Sequence, residues 1–401
     1  MPPPWQGASR AAATRSQHAA TQHCGPSARA TASAATPAWR LTRSSWSSCW
    51  RHAEPRRSNS SSRFHAAASS RANSSRQTRR QRTTLAAAAD GGGGEAASAD
   101  ELQQSFRQAA AAQQALEEYR QLMQQLPEWG APQPSQPDHA GDADALLRGA
   151  VLIARHRYPL LRHDDVAEQL DDLAVQVEGR LPGQQVYPLR LLQTISQHLY
   201  GHLGFAGNSV DYYSADNSCI NQVLQRRLGI PITLGLVYMQ VAHRLGLPMV
   251  GVNIPGHFMI SPADPELEFL VDAFQGGEVC FIQDAEETLS RIYRQPIRLD
   301  AAFLTRKQPL PPRYFLARML NNLKQIYNLR RSYDQAYAVS CYLRATNPGD
   351  LSELRDAGVC LYQLKRIPEC VELLTEFVER SPADAEDVLK VQALLRSLRQ
   401  R

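Results

Sequence analysis

Between residues 232 and 245 the apolar side chains Leu234, Val237, Tyr238, Val241, Ala242 and Leu245 recur at three- and four-residue steps. That spacing predicts a helix that buries one face. Gly246 and Pro248 end it, because glycine accepts the left-handed cap conformation and proline cannot continue the hydrogen-bond ladder. The pattern then changes to short β-rich runs: 249–254, 257–260 and, past a polar turn at 262–268, 269–274. A central helix leading into a small antiparallel sheet is an α+β arrangement. Upstream, 146–155, 166–180 and 187–200 each carry a helical period, as in Leu170, Leu173, Ala174 and Val177. A Gln- and Ala-rich stretch, 100–129, predicts a further helix capped by Asp100, with only a thin apolar stripe to pack on the body or on a partner. Residues 130–141, rich in Pro, Gln and Asp, read as a linker.

The C-terminal part repeats itself. Pro348 and Pro382 stand 34 residues apart, and aligning on them matches Leu320 with Leu354, Tyr327 with Leu361, Ala336 with Cys370 and Leu343 with Phe377. A 34-residue period of paired helices closed by proline resembles the TPR repeat. The match is imperfect: Lys324 stands where the second repeat has Gly358. Two such repeats cannot bury their faces alone, so the pair is expected to pack on the preceding body, with 388–398 as a capping helix. The Pro-rich run 308–313 (QPLPPR) reads as the linker between them.

Candidate chemistry lies on the predicted sheet. His257 opens one strand and Asp272 lies on the next, so a hairpin brings imidazole and carboxylate together. A carboxylate on one ring nitrogen fixes the tautomer and leaves the other nitrogen as a base, the supporting half of a nucleophile-His-Asp site.

The series "GFAGNSVDYYSADNS", "VLQRRLGIPITLGLVY", "RLGLP", "PGHF" and "VDAFQGG" resembles, in order, the transglutaminase-like domain of bacterial SirB-type proteins and their plastid relatives, in which a TPR-type tail follows. The resemblance covers about residues 146–277 and implies a papain-like core of helices plus a small antiparallel sheet, with His257 and Asp272 in the catalytic His and Asp positions. In catalytic transglutaminase-like enzymes the Cys stands at the start of the central helix. Counting back from Arg244 lands on Ile232 and Thr233, and no Cys is there. A degenerate site is therefore expected, since a threonine hydroxyl is a far poorer nucleophile than a thiolate. The alternative nucleophile is Cys219, thirteen residues upstream, which as a free cysteine reads first as a small buried hydrophobe.

Other features carry less. The glycine-containing loop 201–218 lacks the lysine and spacing of a phosphate-binding loop and reads as turn chemistry. Arg226 and Arg227 fit either surface charges or a carboxylate-holding pair, and His243 and Arg244 fit a polar helix face. No metal spacing is found among the histidines, and Cys219, Cys280, Cys341, Cys360 and Cys370 form neither a CxxC pair nor an even set. No cofactor, metal or disulfide is expected.

Residues 1–89 contain fourteen Arg, no Lys and one acidic residue, Glu54, amid Ser and Ala runs. Such Arg-rich, acid-poor, coreless sequence is that of an organelle transit peptide, with Ser and Ala tilting the address to the plastid stroma and the mitochondrion as alternative. With this segment set aside, the 44 basic and 39 acidic residues of the whole chain become 30 and 38, a net of minus eight. An acidic body disfavours nucleic acid as partner. No run reaches the eighteen or so apolar residues of a membrane span. The expected organisation is a disordered transit segment (1–95), a helix and linker (96–142), a transglutaminase-like domain (143–307) and TPR-like repeats (314–401) that engage a protein partner. On this reading the protein is a non-catalytic scaffold or regulator; the competing reading is a cysteine-dependent acyltransferase or amide hydrolase built on Cys219, His257 and Asp272.

Overall fold

The computed structural model describes residues 99–132, 137–183, 186–254, 257–281, 310–383 and 385–400, with five single residues between 284 and 296. The expected transit segment and the cysteines within it lie outside the described residues.

The first helix, α1 (Ala99–Gln125), is two-natured. Its N-terminal half is exposed, while Ala115, Tyr119, Leu122 and Met123 are buried in the main core. Tyr119 bonds Thr346 Oγ1 at 2.9 Å and stacks edge-on against Tyr342. The sequence predicts a loosely packed stripe; the added anchors are one hydroxyl bond and one ring contact to residues more than 200 positions away, which no local pattern reveals. Helix α2 (His139–Ala154) starts inside the expected 130–141 linker, because Asp138 accepts the Gly141 N–H at 3.0 Å and caps it. Helices α3 (His163–Glu178) and α4 (Pro188–Ser196) follow, α4 widening into a π-helical turn at Gln197–His202.

A short parallel pair, β1 (Ala206–Gly207) with β2 (Leu228–Gly229), brackets a 3-10 turn (Ala215–Ser218) and helix α5 (Ile220–Arg226). The central helix α6 (Pro231–Arg244) then runs through the core with Ile232 to Ala242 all buried. The sheet has strand order β3 (Met249–Ile254), β4 (His257–Pro262), β5 (Leu270–Asp272), β6 (Glu278–Cys280), all antiparallel. The third expected strand is thus three residues long, since the Asp272 carboxylate turns the chain at Phe274. The fourth strand, β6, is too short and polar to show a period.

Gly235 is where α6 meets β4. A Cβ there would lie 2.8 Å from the Phe258 ring and 3.2 Å from Ile260, so only glycine permits this approach without movement. At the other end Met239 and Met249 line a common cavity, and Met249 pairs with Pro262. The start of α6 and His257 therefore lie at the same end of the core.

The C-terminal helices are α7 (Pro312–Arg330), α8 (Tyr333–Thr346), α9 (Ser352–Gln363), α10 (Ile367–Arg380) and α11 (Glu386–Arg399). Their repetition is visible in the backbone: α8 and α10 begin 34 residues apart, and the residues at the two tight inter-helix turns, Arg331 (φ 54°) and Lys365 (φ 61°), are also 34 apart. Lys324, the odd member of the alignment, reaches between the pairs to Glu353 (2.6 Å) and Asp356 (2.7 Å).

The two helix pairs fall largely in different cores, with Cys360 of α9 joining the first. Phe315, Leu316, Met319, Leu320, Leu323 and Tyr327 of α7 and Val339 and Tyr342 of α8 share the core of α2, α6 and the sheet. Leu354, Leu361, Leu374, Phe377, Val388 and Leu395 form a second cluster of α9 to α11. Of the expected linker 308–313, residues 310–313 are described, and they are no free linker. Leu310 N–H bonds Gly251 O at 2.9 Å, Pro312 begins α7, and buried Arg313 donates to Pro127 O (2.7 Å), Leu126 O (3.0 Å), Met123 O and Thr346 O (2.8 Å). One guanidinium thus satisfies the orphan carbonyls at the ends of α1 and α8. The prolines suit a helix start, where the missing N–H has no intrahelical acceptor to lose.

Candidate functional site

His257 and Asp272 meet: His257 Nε2 lies 2.7 Å from Asp272 Oδ2. Asp272 is 4% exposed, and its other oxygen accepts the Phe274 (2.9 Å) and Gln275 (3.1 Å) N–H groups. Both carboxylate oxygens are therefore engaged, Oδ2 with the imidazole and Oδ1 with two backbone N–H groups. With Nε2 committed, His257 Nδ1 faces away from the carboxylate and makes no hydrogen bond among the described residues. Ser196 Oγ donates to Gly277 O at 2.6 Å and ties α4 to the turn that follows the aspartate.

The start of α6 supplies Ile230, Pro231, Ile232 and Thr233. Thr233 is fully buried; its hydroxyl donates to Asn217 O at 2.6 Å and accepts from Ile230 N–H at 3.2 Å. Its one proton is thus spent on a backbone carbonyl. Asn217 in turn organises the 208–217 loop, donating to Asp211 O and Tyr212 O and accepting from Asn208 Nδ2 and Arg226 Nη2. Sequence marked Asn217 only as a turn residue; that it latches the helix start is a long-range fact.

Cys219 caps α5 and is 0% exposed. Its thiol points to Ala215 O at 3.5 Å, and burial first, then the Asp216 carboxylate, pushes it up to about 12. Its electrostatic neighbours are Asp216, Arg157, Arg226 and Tyr327. His257 is not among them. Cys280 shares a sheet face with Asp272, because it pairs with Leu270 while Asp272 pairs with Glu278. Burial, Asp272, Glu278 and Asp284 together push its thiol up to about 12, opposite to what a nucleophile needs.

The remaining candidates are structural. Arg226 bonds Asn217 Oδ1 at 2.8 Å, and Arg227, in the left-handed conformation at the end of α5, donates to Leu203 O at 2.7 Å. Arg244 pairs with Asp171 at 2.5 Å. Asp216 gathers Arg157 (3.0 Å) and the Tyr158 hydroxyl (2.7 Å). On the other flank Tyr212 packs edge-on to Phe274, and Arg318 of α7 lies 5.3 Å from the Phe258 ring centroid. Among the described residues no group of three or more His, Cys, Asp or Glu is placed to hold a metal, and no helix is long and apolar enough to cross a membrane.

A family model described as the transglutaminase-like superfamily matches residues 164–321, a span that opens in α3, contains the dyad and closes inside α7. A UPF0162 protein of Xylella fastidiosa is 32% identical over 247 residues, which covers 59% of this chain and 84% of the relative. The chain belongs to the UPF0162 family. A second UPF0162 protein, from Pseudomonas aeruginosa, is 31% identical over 192 residues, 47% of this chain and 67% of that protein. Human F-box only protein 21 is 31% identical over 180 residues, 38% of this chain and 28% of its own length. No solved structure matches. In this UPF0162 chain the family match extends into α7, the helix whose Phe315 packs edge-on against Phe258, the neighbour of His257.

Proposed function

We propose that this UPF0162 protein is a non-catalytic transglutaminase-like module that acts through protein–protein interaction. The observation that carries this reading is the state of the Thr233 hydroxyl, bound to Asn217 O at the helix start where a nucleophile would stand. A His-Asp pair without a partner to deprotonate performs no acyl transfer. The competing reading needs the Cys219 sulfur against His257, whereas its thiol faces Ala215 O and its pKa is raised.

The interaction element in this proposal is the C-terminal TPR-like array, whose helices α7 and α9 offer Leu329 (65% exposed) and Val359 (39% exposed) to solvent. Occurrence of the shared segment within a protein as different in length as F-box only protein 21 supports a role as an attached module. Residues 1–95 are proposed to direct the protein to the plastid, testable by fusing them to a fluorescent reporter.

The test is affinity capture from extract of the source cells with the full chain and with a Leu329→Arg, Val359→Arg variant. A defined protein that co-purifies with the first and not the second is expected. Turnover of an amide or ester by the purified protein, abolished by His257→Ala, would reverse the assignment.

A further inference from the structure

Most histidines among the described residues are either spent or sealed off. His156 engages both ring nitrogens, with Ile153 O and the Tyr327 hydroxyl. Both ring nitrogens of His198, Nε2 of His163 and Nδ1 of His243 are buried without a partner. His202 is exposed and has no carboxylate partner among the described residues. His257 differs from all of these. Its Nε2 lies 2.7 Å from Asp272 Oδ2, while its Nδ1 has no partner and, unlike the sealed nitrogens, reaches solvent from a side chain that is 14% exposed.

That arrangement sets the chemistry of the ring. A carboxylate accepts and does not donate, so the ring proton sits on Nε2 and the Nδ1 lone pair points outward. Asp272 cannot swing away, because its Oδ1 holds the Phe274 (2.9 Å) and Gln275 (3.1 Å) N–H groups. A fixed carboxylate enriches the ring in electrons and offsets the positive charge that develops when Nδ1 forms a bond. These are the requirements of a nucleophilic imidazole. Neighbouring groups do not compete: the Thr233 proton is spent on Asn217 O, and burial and then Asp272 push the Cys280 thiol up to about 12.

The electrophile has to be small, because most of the ring is covered. An acyl group on an imidazole nitrogen is readily lost to water, and its repeated uptake would be ester hydrolysis, which a non-catalytic protein does not perform. A phosphoryl group is shielded from water by its own negative oxygens and persists. We propose that His257 Nδ1 is a phosphorylation site that takes its phosphoryl group from a small acyl phosphate. The Nδ1 lone pair attacks phosphorus, the P–O bond to the acyl group breaks, and the carboxylate leaves with the electron pair. Nε2 keeps its proton and donates it to Asp272. The product places new negative charge beside the Tyr212–Phe274 flank of the dyad, a change that a bound protein partner would sense. That Nδ1 is left free by the chain's own thiols and hydroxyls is the part shared with the non-catalytic reading.

The experiment incubates the full chain with acetyl phosphate and maps phosphohistidine by peptide mass spectrometry under alkaline conditions, with the exposed His202 as internal reference. His257 is expected to be phosphorylated at least tenfold faster than His202 in the folded protein, and the two rates are expected to converge in urea. Asp272→Asn is expected to slow His257 at least tenfold and to leave His202 unchanged; if that variant does not fold, the comparison of the two histidines in the parent decides. Equal rates at the two histidines in the folded protein, acetylation in place of phosphorylation at His257, or a folded Asp272→Asn variant with the parent rate overturns the phosphorylation site. With no phosphohistidine and no amide or ester turnover, the phosphorylation site falls and the non-catalytic reading stands. Turnover abolished by His257→Ala overturns both.

Discussion

The Thr233 hydroxyl donates to the carbonyl of Asn217, sixteen residues earlier, at 2.6 Å. The bond joins the first turn of the central helix to the loop that flanks the dyad, and it serves architecture. Thr233→Val, nearly the same volume, leaves the buried Asn217 carbonyl without its donor and is expected to cost about 1–3 kcal/mol in urea unfolding. Thr233→Ser keeps the donor and should fall within about 1 kcal/mol of the parent. Equal stability of the valine and serine variants would show that the bond carries nothing.

Cys219 should be inert in the folded protein. A thiol pushed up to about 12 and fully buried holds little thiolate at neutral pH. Peptide mapping after brief alkylation is expected to find Cys219 labelled at least about a hundredfold more slowly than a free thiol. His257→Ala should leave that rate unchanged. Fast labelling that depends on His257 would restore the enzyme reading.

His156 gives a pH dependence. Its Nδ1 lies 2.5 Å from Ile153 O and its Nε2 2.6 Å from the Tyr327 hydroxyl, so Nδ1 carries the proton and Nε2 accepts. Burial lowers its pKa from 6.5 to about 4. Below 6.5 the unfolded chain takes up a proton that the folded chain refuses, so stability is full above that pH and falls as pH drops toward 4. The shift corresponds to about 3 kcal/mol. Urea midpoints at pH 7.5 and 4.5 should therefore converge in His156→Gln relative to the parent.

Arg313 holds two helix ends at once. Arg313→Met keeps most of the apolar stem but strands four backbone carbonyls, and about 3 kcal/mol of stability is expected to be lost. Hydrogen exchange should quicken at the C-terminal end of α1 before it does in the sheet. Uniform quickening would mean that the guanidinium is not a local clamp.

Gly358 is a packing requirement of the second helix pair. A Cβ there would fall 2.5 Å from the Leu374 side chain. Gly358→Ala is expected to destabilise α9 to α11 by about 1–3 kcal/mol, with partial recovery in the Gly358→Ala, Leu374→Ala double variant. Because the second cluster has its own core, tertiary signals from the dyad region should survive this change. Their loss would show that the two clusters unfold together.

The residues alone determined the central helix and its stop at Gly246, the hairpin that pairs His257 with Asp272, and the 34-residue step that reappears at Arg331 and Lys365. All are set by period and by backbone stereochemistry, which act within a few residues or recur at fixed spacing. Tertiary structure alone decided that the first C-terminal helix pair completes the main core, that a Pro-rich run starts a helix clamped by Arg313, and that the C-terminal half of α1 is buried. It also decided where Thr233 and Cys219 direct their protons, to Asn217 O and Ala215 O. Hydroxyls, thiols and guanidinium groups bond whatever acceptor the fold brings near, and that neighbour is rarely close in the chain.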